Sequence, residues 1–88
     1  MYDDGIVPGR VVVSKSGRDK GRRCIIVKVL DNDFIQIADG DLRRIEKPKK
    51  KKLKHVKIEN MVADELAVRL RRGERISNAD IRKFINNF

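Results

Sequence analysis

The stretch Arg43 to Lys57, RRIEKPKKKKLKHVK, holds nine Lys or Arg against one Glu, so a net +8 of the chain's formal +9 falls within fifteen of its 88 residues. Residues 1 to 42 carry seven bases and seven acids, and residues 58 to 88 carry six bases and five acids. Charge concentrated in this way is an electrostatic footprint for a polyanion, nucleic acid above all. Each cation that meets a phosphate releases condensed counterions, which gives affinity without sequence information. A second cluster precedes the first: Ser14 to Arg23, SKSGRDKGRR, has five cations and two glycines, Gly17 and Gly21. Glycine makes a loop both sharp and bare, so an RNA backbone can come close while the cations contact phosphate. The same features also serve an ordinary basic hairpin whose glycines are needed for the turn alone.

These residues must be held by something, and residues 10 to 42 read as strands. RVVVSK, RRCIIVKVL and FIQIA are rich in β-branched residues and are separated by the polar turns SGRDKG and DND, with DGD after the third. In the second run Ile25, Val27 and Val29 are expected on one face and Lys28 on the other. In the third, Ile35 and Ile37 alternate with Phe34 and Gln36. Asp39-Gly40 suits a tight hairpin. Leu42 and Ile45 are placed on a fourth short strand, and Val56 and Ile58 on a fifth after the lysines. Five short strands with few aromatic residues describe a small, highly curved barrel better than a sandwich. Pro48 and the four lysines after it are unsuited to a central strand, because proline lacks the ladder donor and adjacent ammonium groups repel. They are expected as an extended, flexible surface segment.

From Asn60 the period becomes helical. Asn60 is the expected N-cap, Val62, Leu66 and Leu70 recur every fourth residue, and Gly73 is the stop. A second helix starts at Ser77, with Asp80 at capping-box spacing. Its apolar stripe is Ile81, Phe84, Ile85 and Phe88, read as core in a chain that needs all its apolar surface. The expected organisation is a barrel over 1–58, including the basic segment, and a helical hairpin over 59–88. That hairpin buries its stripe on the barrel or on a protein partner.

Valines followed by G-R-D-K-G-R and another β-branched run resemble the KOW motif, a strand-loop-strand element built around one glycine, here Gly21. The continuation IADGDLRRIEKPKKKKLKHV matches in register. Together, over about residues 6 to 58, they resemble the small bacterial KOW-domain RNA-binding proteins similar to the fourteenth e-type protein of the large ribosomal subunit. Arg23 and Cys24 stand where many KOW motifs have a further glycine. The resemblance implies an SH3-like barrel of about five strands that binds structured RNA, typically ribosomal; the cytoplasmic location expected for the chain rests instead on its lone cysteine and its acidic, signal-unlike start. Carried over residue by residue, it implies backbone contacts from Lys15, Arg18, Lys20, Gly21, Arg22 and Arg23. In the basic segment it implies contacts from Arg43, Arg44, Lys47, Lys49, Lys50, Lys51, Lys52, Lys54 and His55.

Other chemistries find little support. Cys24 is the single cysteine and His55 the single histidine, so neither an internal disulfide nor a protein-only zinc site is expected. The lone thiol fits a reducing compartment, and Cys24 reads as a packing residue. Asp31, Asp33, Asp39 and Asp41 bracket turns, where Asp caps its own backbone, so no acid-base pair for catalysis is evident and neither an enzyme nor a cofactor is expected. No apolar run reaches a membrane span, and the acidic start is unlike a secretory signal. Three binding alternatives stand beside RNA. One is a peptide-binding SH3-like adaptor, which would need an aromatic groove where Phe34 and Tyr2 are the main candidates. The others are nonspecific DNA binding and a polybasic contact with anionic lipid. Few aromatic residues favour folded RNA over a single strand as the ligand.

Overall fold

The computed structural model describes residues 5–87. Tyr2, the rest of the acidic start through Asp4, and Phe88 lie outside the described residues. Five strands form one antiparallel sheet: β1 (Arg10–Ser14), β2 (Arg23–Val29), β3 (Phe34–Ala38), β4 (Lys49–Lys52) and β5 (Val56–Val62). Their spatial order is β4-β3-β2-β1-β5. A 3-10 turn, Leu53–His55, joins the two edge strands, and helices α1 (Asp64–Arg71) and α2 (Asn78–Asn86) follow.

Neighbouring strands stand about 4.8 Å apart, so the edges of a flat five-stranded sheet would be separated by roughly 19 Å. The turn that links those edges has three residues, and 3-10 geometry advances only about 2 Å per residue. The sheet must therefore curl. Inside the curl lie Val12, Cys24, Ile26, Ile35, Ile37 and Val56, with Leu53 of the turn packed against them. The barrel expected from the sequence is not closed, because β4 and β5 do not pair with each other and each remains an edge.

The outer face carries a second core. Val11, Ile25 and Ala38 of the sheet meet Ala63, Leu66, Ile76 and Ile81 of the helical segment, with Leu70, Phe84 and Ile85 at the margin. The helical hairpin thus covers the sheet. Both faces are buried at Val11 and Val12 of β1 and from Cys24 to Ile26 of β2, which corrects the one-faced pattern expected for Ile25, Val27 and Val29. Pairing shifts between Ile26↔Ile37 and Lys28↔Gln36, so Val27 and Lys28 share one position opposite Gln36. This bulge leaves Val27 against the outer core and turns Val29 inward beside Ile26. Phe34 and Gln36 alternate with the buried Ile35 and Ile37 as expected.

Two further boundaries differ from expectation. No strand runs through Leu42 and Ile45. Asp39 instead closes a loop on itself, its Oδ1 accepting from the amides of Asp41 and Arg43 at 3.0 and 2.8 Å. The fourth strand is the lysine run, paired with β3 on one side only, a place where repulsion between lysines is relieved by solvent. In addition, β5 continues to Val62, which pairs with Arg10, so Asn60 is a strand residue rather than a helix cap. The boundary expected after residue 58 falls within β5. Helix α1 begins at Asp64, where Asp64 and Glu65 favour the positive end of the helix dipole. The second helix starts as the sequence predicts, with the Ser77–Asp80 capping box formed in both directions.

Candidate nucleic-acid interface

The two cationic clusters are brought side by side. Lys51 pairs with Ile35 in the sheet, so its side chain falls on the inner face of the curl rather than outside. Its Nζ donates to Asp19 Oδ1 at 2.7 Å and to the Ser16 carbonyl at 2.9 Å, both in the loop between β1 and β2. Asp19 is fully buried. The same Oδ1 accepts from the Ser14 hydroxyl at 2.6 Å, and Oδ2 accepts from Arg43 Nε at 2.9 Å. A further bond runs from the Lys15 amide to the His55 carbonyl at 2.8 Å. The glycine loop, the segment after β3, the lysine strand and the 3-10 turn are therefore laced together across the open side of the sheet.

A buried carboxylate surrounded by donors has competing influences on its ionisation. Burial is the largest single one and opposes the charge, but the bonds from Lys51, Ser14 and Arg43 together outweigh it. They hold the Asp19 carboxyl well below the usual carboxylate range. The pairing is obligatory, because an ammonium buried as deeply as that of Lys51 without its partner would be costly. The sequence alone gave no role to Asp19. Its only trace is a single acid standing among five cations in one loop.

The remaining basic residues divide by environment. Lys15, Arg18, Lys20, Lys47, Lys49 and Lys54 are exposed and have no acidic partner among the described residues. Arg22 is partly exposed and bonds Asp39 Oδ2 at 2.7 Å, with Asp41 at 3.4 Å. Arg23 faces Glu59 at 4.0 Å, and Arg44 faces Glu46 at 3.8 Å. Lys50 and Lys52 lie on the outer face of β4, their ammonium groups 4.6 and 5.9 Å from the Phe34 ring centre. Arg43 and Lys51 turn inward to Asp19, and His55 is half-buried. Instead of one flexible strip of phosphate contacts, the basic segment thus supplies two structural anchors and a set of exposed cations held by an ordered strand.

Gly21 has φ +86°, and a side chain there would meet open space. Its amide donates to the Ser14 carbonyl at 2.8 Å, closing the loop. The glycine is thus needed by the backbone, and it also leaves that part of the loop bare. Gly40 differs, since its φ is +78° and a side chain there would collide with the Asn78 carbonyl of α2. Asn78 in turn accepts from the Ile45 amide at 2.7 Å and donates to Glu46, fixing the segment that leads into β4. Helix α2 therefore helps position the lysine strand.

Burial pushes the Cys24 thiol up to about 12, with Asp39 and Asp19 adding to the effect. No helix among the described residues is long and apolar enough to cross a membrane.

No protein-family model matches the chain. Among curated proteins it is similar to the large ribosomal subunit protein eL14 of Methanococcus maripaludis, 43% identical over 48 residues, which are 54% of this chain and 56% of that protein. It is also similar to eL14 of Staphylothermus marinus, 32% identical over 56 residues, 64% of this chain and 58% of the relative. The eL14 protein of Desulfurococcus amylolyticus is 35% identical over 48 residues, 54% and 50% of the two chains. The chain thus spans about half the length of the curated relatives it matches.

Proposed function

We propose that this protein binds structured RNA, with ribosomal RNA of the large subunit as the ligand, through the phosphate backbone and the shape of the folded strand. The observation that carries the reading is the joining of the glycine loop to the lysine strand through Asp19 and Lys51, beside a set of exposed cations. Similarity to the eL14 proteins supports the ribosomal part. We read the curled sheet as an SH3-like barrel of the KOW type left open along one side, and the chain as a cytoplasmic, non-catalytic protein of the small bacterial group.

In this reading Arg18, Lys20 and the bare backbone at Gly21 enter one RNA feature, a groove or a helix junction. Lys15, Arg44, Lys47, Lys49, Lys50, Lys52 and Lys54 follow phosphates beside it, and Arg22 and Arg23 border the site. Lys51 and Arg43 act indirectly, by holding the loop. An A-form groove is recognised by such contacts because its base edges are largely out of reach of side chains. The adaptor alternative has less support: Phe84 packs in the outer core, and Phe34 lies beneath lysines rather than in an aromatic groove. DNA would meet the same cations, and the relatives favour RNA over it.

Ultraviolet crosslinking in cells, followed by sequencing of the recovered RNA, tests this directly. A footprint confined to large-subunit ribosomal RNA is expected, with cosedimentation of the protein with large subunits. Crosslinks scattered over messenger RNA, or recovered only from DNA, would refute the ribosomal reading.

A further inference from the structure

The outer face of β3 and β4 carries a feature that phosphate contact leaves unused. The chain has four aromatic residues, and Phe34 belongs to neither hydrophobic core. Its ring is half-buried on the outer side of the sheet, level with Lys52 and next to Gln36 and Lys50 in the strand register. The backbone that carries it is tied on both sides. The Phe34 amide donates to Asp31 Oδ1 at 2.9 Å, and its carbonyl accepts from the Leu30 amide at 3.0 Å. A β-branched residue would satisfy the strand here, so the ring adds something that strand formation does not require.

We propose that Phe34 is a stacking platform for a single unpaired nucleobase of the bound RNA, with Lys50 and Lys52 holding the phosphates on either side of it. The proposal rests on the RNA-binding reading above and adds a site to it. The two ammonium groups now over the ring mark a π-face open to an electron-poor or planar partner. An exposed cation–π contact is weaker than the stacking of a base on an aromatic ring, so an arriving base displaces the lysines. Both lysines are on an edge strand and exposed, free to swing to the neighbouring phosphates. One such ring gives a preference for an extruded base within a folded RNA, in keeping with a protein that otherwise reads backbone and shape.

The test compares two synthetic ligands, a blunt RNA duplex and the same duplex with one bulged adenosine, at fixed salt. Wild-type protein is expected to bind the bulged duplex about 5- to 100-fold more tightly. Phe34→Leu should bring that ratio close to one while leaving affinity for the blunt duplex unchanged, and Phe34→Trp should retain the ratio. A wild-type ratio near one overturns the proposal without recourse to any variant. So does a ratio that survives in Phe34→Leu, because the bulge would then be recognised through its flexibility. If wild-type protein binds neither duplex, the parent RNA reading fails together with this one, whereas binding of both equally leaves that reading intact and removes only the stacking site.

Discussion

Lys51 Nζ lies 2.7 Å from Asp19 Oδ1, with the two side chains 7% and 0% exposed. The pair spans the gap between the edge strand of an open sheet and the loop between its second and third neighbours. It converts two cationic segments distant in sequence into one surface. Removing Asp19 would leave a buried ammonium without its counter-charge, a loss on the order of 3 kcal/mol or more. For a domain of this size, Asp19→Asn is expected to lower Tm by roughly 10 °C or more. Thermal unfolding followed by circular dichroism measures it, and a Tm within a degree or two of wild type would show that the pair contributes nothing.

The pH dependence has a definite sign. The Asp19 carboxyl titrates lower in the folded protein than the ordinary value of 3.8. The folded state therefore binds fewer protons than the unfolded state in that range, and the stability it confers is complete above about pH 5 and lost progressively as pH falls below that. Denaturant titrations of wild type from pH 6 down to pH 2 should show falling stability. In Asp19→Asn the fall should be shallower, with Glu46 and Asp80, whose carboxyls are also held below the usual range, left to contribute. Parallel curves for the two proteins would place the acid sensitivity elsewhere.

Gly21 separates a conformational from a recognition role. With φ at +86°, a β-branched residue is strained there whatever the space around it, so Gly21→Val is expected to destabilise the loop. Asn tolerates positive φ better than other side chains, and nothing lies nearby to obstruct it. Gly21→Asn should melt close to wild type yet bind RNA several-fold more weakly, because its side chain stands where the RNA backbone approaches. Wild-type affinity in that variant would confine the glycine to turn formation.

How far these features could be read from sequence depended on whether the signal was local. The first three strands, the inward Ile35 and Ile37 and the Ser77–Asp80 cap follow from spacing alone, and all occur. The Val27–Lys28 bulge reverses the facing of Val29, and no periodicity announces an inserted residue. The lysine strand was legible as non-central but not as a strand, since four like charges argue against pairing until one of them finds a buried acid 32 positions away. Asn60 and Val62 fit a helical period as well as a strand, and only the pairing of Val62 with Arg10 decides between them. The cations were evident as a group. Which of them face solvent and which hold the loop is a tertiary matter.

Salt titration weighs the exposed cations. If about five or six of them meet phosphate, log affinity should fall against log salt with a slope of roughly −4 to −5. Replacing Lys49, Lys50 and Lys52 together by Ala should reduce the slope by about 2 to 3 and weaken binding to different RNAs about equally. A slope near zero in wild-type protein would remove phosphate contact as the source of affinity. A triple variant that changed RNA preference would show that the strand reads more than charge.

Cys24 offers an internal probe. Fully buried, with its thiol pushed up to about 12, it should resist a thiol reagent at pH 8 in the folded protein and react at once in denaturant. Rapid labelling under native conditions would contradict the packing of the inner core around it.

The most direct test of the central claim is the affinity of Asp19→Asn for large-subunit ribosomal RNA, at a temperature where circular dichroism shows the variant folded. Charge alone predicts tighter binding, since an acid is removed from a cationic surface. If Asp19 holds the glycine loop against the lysine strand as one docking surface, affinity will fall several-fold despite the gained positive charge. Equal or tighter binding would contradict it.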